Sequence, residues 1–318
     1  MRAYSVFDDL TDEACAVLRG AGIEVTLHPK GEPRPRGDAL RVLLEQYDVV
    51  FLSTAERVTE EMLSGIDGFR IIATASAGTD HICIPEEKRA SIRIANAPSA
   101  NAVSVAEHTF ALFLALKKRL SEARSLAARG QNKQQMCARP AELCGLTLGV
   151  LGAGPTAAAV LRLGQALGMR CLCWTRAPER HEELRSAGVE FAEVETVLRQ
   201  GDAVSLNLPL TAETVGFLTA ERIELMKPDA AFVSVSRPEL MDCAALFDRS
   251  RRQERFSVGL DVDAGAVLGL WDEGMKNVMV TPHIAGGTTA ARERLFAEAA
   301  RNAAALCRQA EAADRSSK

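Results

Sequence analysis

Gly152-Ala153-Gly154-Pro155-Thr156-Ala157 forms a G-x-G-x-x-A run between an apolar stretch, LTLGVL, and a helical pattern. The first glycine permits a tight turn. The second lets the backbone approach a pyrophosphate at the N-terminus of the following helix, where free N–H groups and the helix dipole favour negative charge. Ala157 replaces the third glycine, a small residue for a small one. Alone, such a run is weak; after a strand and ahead of a helix, it specifies a dinucleotide site. The next strand pattern ends at Trp174-Thr175-Arg176, with Arg180 a turn further on. An acidic residue there would bind the ribose 2′-hydroxyl of NAD, whereas a hydroxyl beside a guanidinium suits the 2′-phosphate of NADP. NADP(H) is therefore the expected cofactor, with NAD(H) left open. Two further residues look catalytic, Arg237 and His283, and between them lies GLDVDAGAVLGLWDEG, Gly259 to Gly274.

These residues need elements to position them. AYSVF, GIEVTLH, DVVFLS, RIIATAS and IRIANA are predicted strands, separated by amphipathic stretches such as TDEACAVLRGAG and TEEMLSGI. That alternation implies a parallel sheet covered by helices. In SVAEHTFALFLALKKRLSEARSLAARG apolar residues recur at three and four, which predicts one long helix ending at Gly130. A second βα series follows: LTLGVLGAG, RCLCWTR, GVEFA, DAVSLNL, AAFVSVS, SVGLDV and NVMVTPH. A closing helix, TTAARERLFAEAARNAAALCRQA, is expected to return to the first domain. The expected fold class is α/β: two Rossmann-like parallel-sheet domains, flavodoxin-like and dinucleotide-binding, with a cleft between them.

Length and composition agree with two globular domains: 318 residues, 47% apolar and 25% charged. A net charge of −4 with interspersed signs provides no basic face for nucleic acid. No apolar run reaches the roughly 18 residues needed to span a membrane. The opening MRAYSVFDDL reads as a strand rather than a signal peptide, so a cytoplasmic location is expected. The eight cysteines are scattered and are expected to be buried free thiols, with Cys171 and Cys173 on one face of a strand. Neither a CxxC motif nor a Cys/His cluster is present, so no metal site is expected.

The chain resembles the D-isomer-specific 2-hydroxyacid dehydrogenase family over essentially its whole length. The segments that carry the likeness are SAGTDHI, NAVSVAEHTFALFLAL, LTLGVLGAG, SLNLPLTAETVGFL, MKPDAAFVSVSR, GLDV and TPHIAGGT. The tripeptide Trp174 to Arg176 is similar to the NADPH-preferring glyoxylate and hydroxypyruvate reductase branch. The resemblance implies a substrate-binding domain, residues 1–100 plus 287–318, and an NAD(P)-binding domain, residues 101–286. It also implies a small 2-oxo or 2-hydroxy acid substrate and a homodimer formed through the long helix after residue 101. Arg237 matches the residue that holds the substrate carboxylate and polarises the keto oxygen. Ala77 and Gly78 match a loop whose N–H groups receive that carboxylate. His283 matches the proton donor in carbonyl reduction, a role that suits an imidazole. Asp261 matches a residue near the nicotinamide carboxamide. Leu208, Pro209 and Thr214 fall in the loop under the adenine-ribose half of the cofactor. His81 and His108, also in matching motifs, read as structural.

The chain departs from the family at one catalytic position. A glutamate normally follows the LDV strand and hydrogen-bonds the histidine. Counting forward from Asp261 reaches Ala266, and counting back from His283 reaches Ala264. Asp263, Asp272 and Glu273 are the nearby carboxylates that would be candidates to replace it. Pro238 also follows Arg237 where the family has glycine, and proline disfavours helical backbone at the residue before it. Three readings follow: an NADP(H)-dependent 2-oxo acid reductase, the same scaffold turned to altered hydride-transfer chemistry, or a catalytically degenerate dinucleotide-binding regulator.

Overall fold

The computed structural model describes residues 1–316. The chain divides into two compact units, Met1–Asn101 with the segment from Thr289 onward, and Ala102–Thr288. In the first, β1 (Arg2–Ser5), β2 (Glu24–Leu27), β3 (Val49–Leu52), β4 (Arg70–Thr74) and β5 (Ile92–Ala95) form one sheet. Its order is β2-β1-β3-β4-β5 and every pairing is parallel. All four residues of β3 are buried, as expected of a parallel strand covered on both faces. The helix Asp12–Gly20 starts where the Thr11 hydroxyl accepts from Ala14 N–H, with Asp12 and Glu13 complementing the dipole in its first turn. The closing helix, Thr289–Ser316, adds Phe296, Ala299, Ala300, Ala303 and Cys307 to this core. Phe7 meets Phe296 edge to face, ring centroids 4.7 Å apart.

The second unit holds β6 (Thr147–Leu151), β7 (Arg170–Trp174), β8 (Glu190–Phe191), β9 (Ala203–Leu206), β10 (Ala231–Ser234), β11 (Ser257–Asp261) and β12 (Val278–Thr281). The order is β12-β11-β10-β9-β6-β7-β8, again parallel throughout. The chain therefore runs outward from β6 in both directions, and the switch point lies between β6 and β9. Two cores cover the two faces. Cys171 and Cys173 join the helices Ala102–Lys117 and Pro155–Ala166 on one face, while Leu172 faces the other. Burial pushes the Cys171 thiol up to about 11 and the Cys173 thiol up to about 12, so both stay protonated and inert. The expectation of buried cysteines fails at Cys83, Cys137 and Cys144, which are exposed on loops. Among the described residues, no helix is long and apolar enough to cross a membrane.

The single long helix expected up to Gly130 is two helices, Ala102–Lys117 and Leu120–Ala128. Arg119 breaks it, with a left-handed φ of 53°. A buried ion pair accompanies the break: Arg119 Nε donates to Glu122 Oε2 at 2.5 Å, and Cys137 N–H donates to Glu122 Oε1 at 2.9 Å. Burial alone would raise the Glu122 carboxyl, but hydrogen bonds from Cys137 and the Arg119 guanidinium outweigh it and hold the group at about 2. Because the folded value lies below the ordinary 4.5, the stabilisation is complete above that pH and disappears as pH falls toward 2. At about 1.4 kcal/mol per pKa unit, Glu122→Gln is expected to cost on the order of 3 kcal/mol at neutral pH. Urea unfolding of both proteins should show that gap narrowing steadily below about pH 4.5.

Candidate functional site

All seven parallel strands of the second unit end at one edge of its sheet, and the residues with chemical potential follow six of them. Gly152 immediately follows β6 and Gly154 is the N-cap of the helix Pro155–Ala166. A cavity of about 300 Å³ opens at the switch point, the place where open α/β sheets bind ligands. Gly152, Ala153 and Gly154 line it together with Trp174, Thr175, Arg176, Leu208, Pro209 and Thr214. Pro155 and Thr156 form the first turn of the helix.

The geometry explains both glycines. Gly152 has φ +115°, and a Cβ there would lie 2.5 Å from the Asn207 carbonyl oxygen. At Gly154 a Cβ would meet nothing within 4 Å, so the backbone is bare toward the cavity. Asn207 also lines the cavity, and its buried Oδ1 has no hydrogen-bond partner, while its Nδ2 donates to Ser205 Oγ at 2.8 Å. A bare helix N-terminus, a close-packed glycine turn and an orphaned buried acceptor fit the phosphates and hydroxyls of a dinucleotide.

At the far end of the cavity the Trp174 and Phe217 rings pack 4.9 Å apart, and the Arg222 guanidinium covers Phe217 at 4.6 Å. Arg176 pairs with Glu213 across the rim, both side chains being about two-thirds exposed. Such a pair in water is worth little, so the guanidinium is available to a stronger partner. The Thr214 hydroxyl donates to Pro209 O at 2.6 Å and accepts from Thr211 N–H at 2.8 Å, holding the loop beneath the cavity. Asn207, His181, Glu213 and Phe217 were not singled out from the sequence. They come from two segments, the connection after β7 (His181) and the loop after β9 (Asn207, Glu213 and Phe217), which the pairing of β7 and β9 with β6 brings together.

Arg237, Asp261 and His283 follow β10, β11 and β12. Arg237 is half-buried, with extended backbone (φ −113°, ψ 140°), as the following Pro238 requires. His283 is exposed and has a left-handed φ of 53°, uncommon for a residue other than glycine. Asp261 organises this turn. Its carboxylate is fully buried and accepts from Thr281 Oγ1 at 2.5 Å, Ile284 N–H at 2.9 Å and Ala285 N–H at 2.7 Å. The Asp261 carboxylate thus clamps the two peptide N–H groups that follow His283.

Ala264 and Ala266, the two positions where the family glutamate would fall, share one 3-10 turn, Ala264–Val267. Val267 is buried and Leu268 is 83% exposed. Asp263 Oδ1 accepts from Gly265 N–H at 2.9 Å and Asp272 Oδ1 from Gly274 N–H at 2.8 Å, so each closes its own short turn.

In the first unit, Ala77 and Gly78 follow β4 and are half-buried. Asn96 Nδ2 donates to Ala77 O at 2.8 Å and Ser76 Oγ to Gly78 O at 2.6 Å. In trans peptides the next N–H points opposite to the carbonyl, so the Gly78 and Thr79 N–H groups face away from these anchors. Below them Thr74 Oγ1 joins Ser76 Oγ at 2.9 Å and His81 Nε2 at 3.0 Å, a buried support for the loop.

Comparison with known proteins agrees with this architecture. Residues 110–285 match the family described as D-isomer specific 2-hydroxyacid dehydrogenase, NAD binding domain. A glyoxylate reductase of Thermococcus litoralis is 31% identical over 300 residues, covering 90% of this chain and 87% of the relative. A hydroxypyruvate reductase of Thermotoga maritima is 29% identical over 267 residues, covering 82% and 85%. Among solved structures, D-lactate dehydrogenase from Aquifex aeolicus, complexed with NAD and lactic acid, superposes with a TM-score of 0.77 at 28% identity. That alignment covers 97% of this chain and 96% of the other.

Proposed function

The chain belongs to the D-isomer specific 2-hydroxyacid dehydrogenase family, and we propose that it reduces a small 2-oxo acid to a D-2-hydroxy acid using NADP(H). What carries the reading is one sheet edge that presents, in spatial order, Arg176, Gly152, Asn207, Arg237, Asp261 and His283. Gly152, Ala153 and Gly154 would hold the cofactor phosphates, with Leu208, Pro209 and Thr214 beneath the adenosine half and Thr175 and Arg176 at the 2′-phosphate. The bound reduced nicotinamide supplies the hydride. Arg237 grips the substrate carboxylate with its fork of N–H donors and lends positive charge to the carbonyl oxygen as negative charge develops there. Ala77 and Gly78, in the first unit, keep the carboxylate-receiving role that the family resemblance implies for them. His283 delivers a proton from its ring to that oxygen, and the hydroxy acid forms. A homodimer through the helix Ala102–Lys117 belongs to the same proposal.

The test is NADPH consumption with glyoxylate, hydroxypyruvate and pyruvate, with NADH and Arg176→Ala in parallel. Loss of charge-assisted hydrogen bonds to the 2′-phosphate should weaken NADPH by roughly 10- to 100-fold and leave NADH nearly unchanged. Equal losses for both cofactors would remove the NADP(H) preference. Tight NADPH binding with no turnover of any 2-oxo acid would overturn the reductase reading in favour of a cofactor-sensing protein.

A further inference from the structure

His108 has no part in the roles above. It sits on the helix Ala102–Lys117 with its side chain 19% exposed. Its Nε2 lies 3.0 Å from Thr281 Oγ1 and 3.8 Å from Asp261 Oδ1. Elementary counting sets the direction of each bond in this group. The Asp261 carboxylate can only accept, so at 2.5 Å the single Thr281 hydroxyl proton goes to it. Toward His108 the Thr281 oxygen must then accept, and His108 Nε2 must carry a proton. Donors therefore run in one sequence from His108 to Thr281 to Asp261, and the same carboxylate collects the N–H groups of Ile284 and Ala285.

We infer that His108, through Thr281 and Asp261, is a positioning residue for proton transfer at His283. The inference rests on His283 being the proton donor. The left-handed backbone of His283 is intrinsically unfavourable for a residue other than glycine. It is held because Asp261 binds the two N–H groups immediately after it. The His108 N–H keeps the Thr281 hydroxyl aimed at Asp261 and adds a donor beside a buried negative charge that has no contact with water. Without it, Thr281 can rotate its proton toward the Leu260 carbonyl, 3.5 Å away. The clamp on the catalytic turn then loosens, although neither the cofactor cavity nor the substrate clamp has been touched.

His108→Leu removes the donor, and His108→Gln returns an N–H near the position of Nε2. His108→Leu is expected to lower kcat by roughly three- to tenfold, with KM and NADPH affinity within about twofold of wild type. His108→Gln should recover most of that loss. Amide hydrogen exchange at Ile284 and Ala285 provides a readout that needs no turnover: protection falls in His108→Leu and returns in His108→Gln. Unchanged exchange at both amides in His108→Leu would overturn the inference. So would equal losses of kcat, NADPH affinity and melting temperature in both variants, which describe a merely structural residue. His283→Ala in the same assay separates the two claims. If it turns over like wild type, the proton-donor reading fails; if it is inactive while His108→Leu is unaffected, only the role of His108 fails.

Discussion

Replacing His283 with asparagine is expected to lower kcat by roughly 10²- to 10⁴-fold, the usual contribution of a positioned general acid, while NADPH still binds. Asparagine is the informative choice because of the backbone. At φ 53° it is tolerated nearly as well as histidine, since its short polar side chain suits the left-handed region. The Asp261 clamp on Ile284 and Ala285 should then survive, and the thermal midpoint should stay close to wild type. Alanine at the same position would add a backbone penalty of about 1 kcal/mol to the chemical loss. The comparison therefore divides the imidazole's chemistry from the turn's stability. The pH dependence of kcat carries a second signature: the limb that reports the donor's ionisation should vanish in His283→Asn. Retention of more than a tenth of wild-type kcat would show that the proton comes from elsewhere.

Arg237→Ala is expected to reduce kcat/KM for glyoxylate by roughly 10²- to 10³-fold. That is the scale of losing both a desolvated charge partner and a donor to the developing alkoxide. Arg237→Lys should recover only part of it, because an ammonium keeps the charge but lacks the planar fork that meets a carboxylate in two places. NADPH affinity should stay the same in both variants. Glycolaldehyde, which has no carboxylate, supplies the internal control. Its poor turnover should fall less than that of glyoxylate in Arg237→Ala, since only the polarising part of the arginine's role applies to it. Equal losses on both substrates would assign Arg237 to general scaffolding.

All twelve strands were legible in the sequence because each is a short apolar run bounded by glycine, proline or polar turns. The glycine turn was legible for a similar reason, since strand, turn and helix are contiguous. The break at Arg119 was not. The apolar repeat runs through Lys118 and Arg119 without a fault. The left-handed residue coincides with a buried pair to Glu122 that Cys137 completes from a separate loop. The reason Gly152 must be glycine was only half visible: a tight turn can be read locally, but the Asn207 carbonyl that would collide with a Cβ is 55 positions away in the chain.

The sequence by itself determined the α/β class, the two sheets, the dinucleotide turn and the family. These follow from local periodicity and contiguous motifs, which the chain carries wherever it folds. The tertiary structure decided what surrounds the candidate site residues. It brought Asn207, His181, Glu213 and Phe217 to one cavity, paired Arg176 with Glu213, and assigned the Asp261 carboxylate to the turn after His283. It also brought His108 Nε2 to 3.0 Å from the hydroxyl of Thr281, 173 positions away. Side chains on parallel strands become neighbours through sheet register, and register is a property of the whole packed core rather than of any stretch of sequence.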